Sequence, residues 1–140
     1  MKHEEIAAGV RDCIANALDL EAQSLRLEDR IIEDLGGDSL DLLDIVFQLE
    51  QRFSVAISPR GIEQQARQAL GSEPLENDGV YTPAALTELR KALPEVPPEE
   101  LAPGLTTAGL PRRFRVATMV NLVNRLLEEK RGQNILGNRG

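Results

Sequence analysis

The chain of 140 residues has no tryptophan, one cysteine and one histidine, and only 3% of its residues are aromatic. A single cysteine, Cys13, excludes an internal disulfide and a cysteine-based metal site. The only histidine, His3, lies at the terminus, and no cluster of nucleophile, base and orienting residue is present. We therefore expect neither an enzyme nor a metal site.

Long apolar runs are also absent. No stretch approaches the length of a membrane span, and the first residues lack an apolar signal segment. These observations predict a cytoplasmic protein with no membrane span, and we expect it to be monomeric.

The net charge of −7 argues against nucleic-acid binding, which needs a basic face. The charge is unevenly distributed, because residues 1–58 hold 13 acidic and 5 basic side chains. An acidic half of this kind favours attraction to basic partner surfaces. The alternative interpretation is that the excess of acids only keeps a small protein soluble.

Apolar residues recur at three- and four-residue spacing, and no segment alternates convincingly over the length of a strand. With so few rings, this pattern predicts an all-α fold. The helices are predicted over about 3–18, 39–53, 59–70, 82–93 and 114–131. Ser58 and Pro59 are the start signal of the third helix, and Cys13 lies in the apolar stripe of the first, where a small buried residue is expected.

Residues 71–112 differ in character, since they hold seven of the eight prolines. We predict loops here and one short helix, whose Leu86, Leu89 and Leu93 dock on the core. The whole chain is interpreted as one domain, with its core in residues 3–60 and 113–131 and a disordered tail at 132–140.

The second helix is apolar around most of its circumference. Its polar positions form one narrow strip that begins with Asp41 and Asp44, near the end where the helix dipole favours carboxylates. Such a helix is predicted either to be buried on several sides or to line an internal pocket. Asp38 is a suitable N-cap for a helix that begins at Ser39, and Gly36 and Gly37 precede it.

The stretch Glu33-Asp34-Leu35-Gly36-Gly37-Asp38-Ser39-Leu40-Asp41-Leu42-Leu43-Asp44 resembles the signature of the acyl carrier proteins. The helix that follows ends in Leu-Glu-Gln-Arg-Phe, close to that family's Leu-Glu-x-x-Phe. The resemblance covers roughly residues 3–60 and 113–131, and it implies a four-helix bundle interrupted by a proline-rich insertion at about 71–112. The chain departs from the family's pattern at Arg115-Val116, where the family tends to have Thr-Val.

The resemblance implies that Ser39, flanked by Asp38 and Leu40, receives a 4′-phosphopantetheine arm derived from coenzyme A. The thiol of such an arm carries acyl groups as thioesters. The implied partners are a phosphopantetheinyl transferase and acyl-loading, ketosynthase or acyltransferase enzymes with basic docking surfaces. The implied recognition acids are Asp38, Asp41 and Asp44, with Glu33, Asp34 and Glu50 as weaker candidates.

An apolar wall is a candidate for sheathing the acyl chain, and a fully packed core is the alternative. The candidate residues of this pocket are Leu43, Val46, Phe47, Leu49, Ile57, Val120 and Val123.

Because of the insertion, we expect a specialised acyl carrier of a lipid, lipopolysaccharide or polyketide pathway. The insertion then either covers the acyl pocket or forms a second docking surface. Two other interpretations stay open. In the first, the chain carries amino acids or peptides. In the second, Ser39 is the helix cap of an unmodified interaction protein.

Overall fold

The structure is a computed structural model that describes residues 2–58 and 61–139, with the backbone alone for residues 133–139. Five α-helices account for most of it, which confirms a helical bundle with an extra helix. Their bounds are α1 His3–Leu18, α2 Ser39–Phe53, α3 Gly61–Leu70, α4 Pro83–Ala92 and α5 Val116–Arg139. Short 3₁₀ turns lie at Ala22–Ser24, Pro98–Glu100 and Leu110–Arg113.

The predicted bounds of α1 and α2 agree with the structure, and α4 lies within the predicted range. The predicted start of α3 at Pro59 lies outside the described residues. The helix α5 continues to Arg139, whereas we predicted an end near Arg131 and a disordered tail. Gly132 lowers helix propensity by only about 1 kcal/mol relative to alanine, and it does not end this helix.

The insertion also contains two antiparallel strands that the sequence analysis did not predict, β1 Glu76–Asn77 and β2 Val80–Tyr81. Asp78 and Gly79 connect them, and both have a positive φ, of 51° and 81°. A two-residue connection of this kind matches the twist of an antiparallel pair, and Asp-Gly is one of its preferred sequences.

The apolar side chains form two clusters. The first, which we call the carrier core, joins α1, α2 and α5 around fully buried residues such as Val10, Ile14 and Ile45. The second, the insertion core, joins α3, α4 and the following loops. Phe114 packs against both.

Leu86, Leu89 and Leu93 are buried as predicted, but in the insertion core and not on the carrier core. The prediction of their docking place was wrong, because α3 turns its own apolar side towards α4. Ala66 of α3 is 1% exposed within that cluster. The structural unit around the insertion therefore includes α3.

Polar contacts attach the insertion to the start of α5. Arg115 is 6% exposed, and its guanidinium forms an ion pair with Glu100 and donates to the backbone carbonyl of Arg113 at 2.6 Å. Glu95 accepts from the Thr118 hydroxyl at 2.9 Å and from the Asn121 amide at 3.0 Å. The departure from the resembled family at Arg115 thus has a structural reason, since its partner belongs to the insertion.

The loop before α2 is bonded to the same end of α5. The N–H groups of Val116 and Ala117 donate to the carbonyls of Asp29 and Leu27 at 3.0 and 2.9 Å. Ile31, which is fully buried, donates to the carbonyl of Phe114 at 3.1 Å. Because the first N–H groups of a helix have no partner inside the helix, these bonds fix the loop against α5 and so fix the place where α2 begins.

We expect Glu100→Ala to lower the free energy of unfolding by about 2–3 kcal/mol, because it leaves the buried Arg115 guanidinium without its carboxylate. Urea unfolding followed by circular dichroism measures this loss. The exposed neighbour Glu99 is the control, and Glu99→Ala should change stability by less than about 0.5 kcal/mol. Equal small effects of both substitutions would contradict the assigned anchor.

Candidate functional site

Two glycines bring the chain to the first residue of α2. Gly36 has φ +78°, a conformation that costs other residues energy. At Gly37 a β-carbon would lie 3.1 Å from the carbonyl oxygen of Ile31 and 3.2 Å from the side chain of Leu18. The turn therefore packs tightly against the carrier core, and the next two residues, Asp38 and Ser39, are exposed at its edge.

The start of α2 is a capping box. The carboxylate of Asp38 accepts from the N–H of Asp41 at 2.9 Å, and the carboxylate of Asp41 accepts from the N–H of Asp38 at 3.0 Å. Ser39 is the first residue of the helix and lies between the two capping residues in the sequence. The cap is thus Asp38 and not Ser39, so the helix does not need the Ser39 hydroxyl as its N-cap.

The acids near this turn differ in how they are engaged. Two hydrogen bonds from the Arg30 side chain and one from its backbone N–H reach Asp34, and they hold the pKa of this carboxyl below its usual value. Glu33 pairs with Arg112 at 3.0 Å, and Glu50 accepts from the N–H of Ile57 at 2.8 Å. These three acids therefore have structural contacts of their own.

The outer face of α2 combines charge and apolar surface. Asp44 is exposed beside Asp41, and three apolar side chains project into solvent on this helix: Leu40 is 74% exposed, Leu43 61% and Phe47 59%. Leu43 and Phe47 were predicted to line an acyl pocket, and their exposure contradicts that prediction. The helix is apolar all round because one side faces the core and another forms an exposed patch, which we call the α2 patch.

The other predicted pocket residues separate into two groups. The first group is buried in the carrier core and at most 2% exposed: Leu49, Val120 and Val123. These side chains pack against their neighbours and line none of the clefts described here. Val46 and Ile57 line a cleft of about 410 Å³ between α2, α3, α5 and the insertion. The sequence analysis missed the other apolar residues of this cleft, among them Ile62, Leu110, Phe114 and Leu122.

A second cleft, of about 330 Å³, lies directly at the start of α2. Gly37, Asp38 and Ser39 form one side, and Ala108, Pro111 and Arg112 of the insertion form the other. The exposed Ser39 hydroxyl, the helix start and the Arg112 guanidinium suit a phosphate group, since helix N-termini and arginine both bind anions. The residues present thus fit a phosphodiester at Ser39.

Within residues 2–58 and 61–139, no cluster of histidine, cysteine, aspartate and glutamate is arranged to hold a metal ion. In the same part of the chain, no helix has the length and apolar character needed to cross a membrane.

Residues 8–67 match the family described as "Phosphopantetheine attachment site". The chain is similar to the acyl carrier protein of Campylobacter concisus (strain 13826), with 48% identity over 48 residues, which cover 34% of this chain and 62% of that protein. It is also similar to that of Campylobacter jejuni subsp. doylei, with 38% identity over 55 residues, which cover 39% of this chain and 71% of the relative. A third relative, from Campylobacter curvus, is 44% identical over 34% of this chain and 62% of its own length.

The chain thus spans 62% of the length of the Campylobacter concisus and Campylobacter curvus proteins. No solved structure matches the chain. The family match ends at residue 67, so the insertion from residue 71 onward lies outside it.

We expect Asp38→Ala to lower the free energy of unfolding by about 1 kcal/mol, because the N–H of Asp41 loses its cap. Asp38→Asn is the matched control: asparagine caps helices about as well as aspartate, so this variant should stay within about 0.5 kcal/mol of the native protein. Urea unfolding of the three proteins separates the loss of the helix cap from the loss of the negative charge. Equal destabilisation by both substitutions would contradict a capping role.

Proposed function

Because the chain belongs to the acyl carrier protein family, we propose that it is an acyl carrier protein whose 4′-phosphopantetheine arm is attached to the Oγ of Ser39. The observation that carries this proposal is the capping box, in which Asp38 holds the helix start and leaves the neighbouring serine hydroxyl exposed. A serine that only capped the helix would itself accept the backbone hydrogen bond. The family is one of carriers and not of enzymes.

In the attachment step, the Ser39 hydroxyl gives its proton to a base of the transferase, and its oxygen attacks the phosphorus next to the pantetheine of coenzyme A. One oxygen–phosphorus bond forms as the bond to the nucleotide half of coenzyme A breaks. The product is a phosphodiester at the start of α2, where the helix dipole and the nearby Arg112 favour its negative charge. The cofactor supplies a terminal thiol that holds acyl groups as thioesters.

We propose that partner enzymes dock on the outer face of α2. Asp41 and Asp44 lie beside the exposed Leu40, Leu43 and Phe47, so the surface offers both charge and apolar area. Carboxylates steer a basic partner and set its orientation, and a central apolar patch supplies affinity. Asp38 contributes charge at the rim of this surface while its carboxylate caps the helix.

The partners we propose are a phosphopantetheinyl transferase and acyl-loading, ketosynthase or acyltransferase enzymes with basic docking surfaces. The insertion supports a specialised lipid, lipopolysaccharide or polyketide pathway, because it changes the surroundings of the attachment site. We also propose that the protein acts as a monomer in the cytoplasm. The buried free thiol of Cys13, whose pKa burial raises, suits a reducing compartment.

Co-expression with a broad-specificity phosphopantetheinyl transferase, followed by intact-protein mass spectrometry, tests the attachment. We expect one phosphopantetheine on the native protein and none on Ser39→Ala. Ser58→Ala, at a serine outside the start of α2, should still be modified. An unmodified native protein, with an active transferase shown on a control carrier, would contradict the proposal and favour a helical interaction protein without an arm.

If the arm is present, incubation with acyl and aminoacyl donors and their loading enzymes separates the two carrier classes. We expect acyl loading, and charge reversal by Asp44→Lys should slow it by about an order of magnitude at low salt. The matched substitution Glu5→Lys, at an exposed acid of α1, should leave the rate nearly unchanged. Exclusive aminoacyl loading would identify a peptidyl carrier instead.

A further inference from the structure

The cleft at Ser39 and the apolar cleft share part of their walls. Ala108 and Pro111 of the insertion line both clefts. The cleft at Ser39 and the cleft lined by Val46, Ile57 and Ile62 therefore adjoin each other at these two residues of the insertion.

The two clefts differ chemically. In the cleft at Ser39 the insertion provides Arg112, whose side chain is 59% exposed and pairs with Glu33 at the rim. In the apolar cleft it provides Leu110, opposite Leu122 of α5 and Val46 of α2. Arg112, which is paired with Glu33, thus lines the same cleft as Ser39, and apolar side chains line the adjoining cleft.

We propose that residues 107–112 of the insertion are the wall of the acyl-chain compartment, so that the apolar cleft takes the acyl chain carried by this protein's own arm. The inference rests on the proposed attachment at Ser39. The compartment differs from a space between helices alone, because its closing side comes from a segment beyond residue 67, where the family match ends.

The volume and the lining suit this occupant. About 410 Å³ is within the range of small-molecule sites, and such sites are mainly apolar. The polar groups in the lining are few. One of them, the Glu63 carboxylate, already accepts the Tyr81 hydroxyl at 2.7 Å. A flexible hydrocarbon needs no polar partner, whereas a peptide or a nucleotide would leave its polar groups without one.

The wall is held in place by several independent contacts. The N–H of Thr107 donates to the carbonyl of Gly79 at 2.8 Å, and Thr106 pairs with Val80 of β2. Leu110 is 4% exposed in the insertion core. Below the wall, Glu95 accepts from Thr118 and Glu100 pairs with Arg115, and these contacts attach the insertion to the start of α5. The compartment is thus preformed, and an entering chain does not have to order the loop.

The experiment measures how fast hydroxylamine cleaves acetyl and octanoyl thioesters on the native protein, after loading from the acyl-coenzyme A. Each methylene that is buried changes the equilibrium constant between the buried and the solvent-exposed acyl chain about four-fold. We therefore expect the octanoyl thioester to be cleaved at least about ten-fold more slowly than the acetyl thioester, allowing for partial burial.

The variant Ala108→Trp places an indole at an exposed position that lines both clefts. It should remove most of the octanoyl protection and leave acetyl cleavage unchanged. Ala8→Trp, at an exposed alanine of α1, should keep the protection. Protection that survives Ala108→Trp, or rates that do not depend on chain length in the native protein, would overturn the inference.

A second measurement does not depend on the variant. In the octanoyl-loaded native protein, NMR should show contacts between the acyl methylenes and the methyl groups of Leu110 and Ile62. Acyl contacts confined to α2 and α5 would overturn the inference and leave the carrier function standing. Failure of the loading step itself, seen as no added mass, would overturn the proposed function and the inference together.

Discussion

The buried ion pair between Arg115 and Glu100 is the constraint on which the arrangement of the two cores depends. Arg115 is the residue just before α5, a helix of the carrier core, while Glu100 belongs to the insertion. A guanidinium that is 6% exposed needs a carboxylate and carbonyl partners to offset its lost hydration. The insertion supplies the carboxylate, and the adjacent Arg113 supplies a carbonyl. Removing the carboxylate would leave an uncompensated charge, so the insertion cannot separate from α5 without a large cost.

The same end of α5 also determines where Ser39 lies. The loop before α2 donates to Phe114 and accepts from Val116 and Ala117, and Gly37 packs on Ile31 of that loop. The proposed attachment site at Ser39 and the insertion are therefore both fixed to the start of α5. Ala108 and Arg112 of the insertion consequently lie across a cleft from Ser39. Without the insertion, this side of Ser39 would be open surface.

Local rules explain what the sequence analysis predicted well. The bounds of α1 and α2, the cap at Asp38 and the turn at Gly36 depend on periodicity, capping chemistry and backbone conformation, all of which neighbouring residues determine. The β1–β2 connection was just as local, since Asp78-Gly79 is a hairpin sequence, and it was missed because the flanking strands are only two residues long. Local rules could not predict which core Leu86 packs in, nor that Phe47 is exposed. Periodicity identifies an apolar face but does not say which surface, if any, covers it. The sequence showed Arg115 as a departure from the pattern of the resembled family. Its partner Glu100 could not be predicted, because only the folded chain brings the two residues together.

We propose that the attachment site at Ser39 and the insertion form one environment around the arm. Amide NMR spectra of the unmodified and the phosphopantetheine-bearing protein, compared residue by residue, test this most directly. We expect shift changes at the amides of Thr107, Ala108 and Arg112 that are comparable with those at residues 36–40. Changes confined to residues 36–44, with the insertion unaffected, would contradict it.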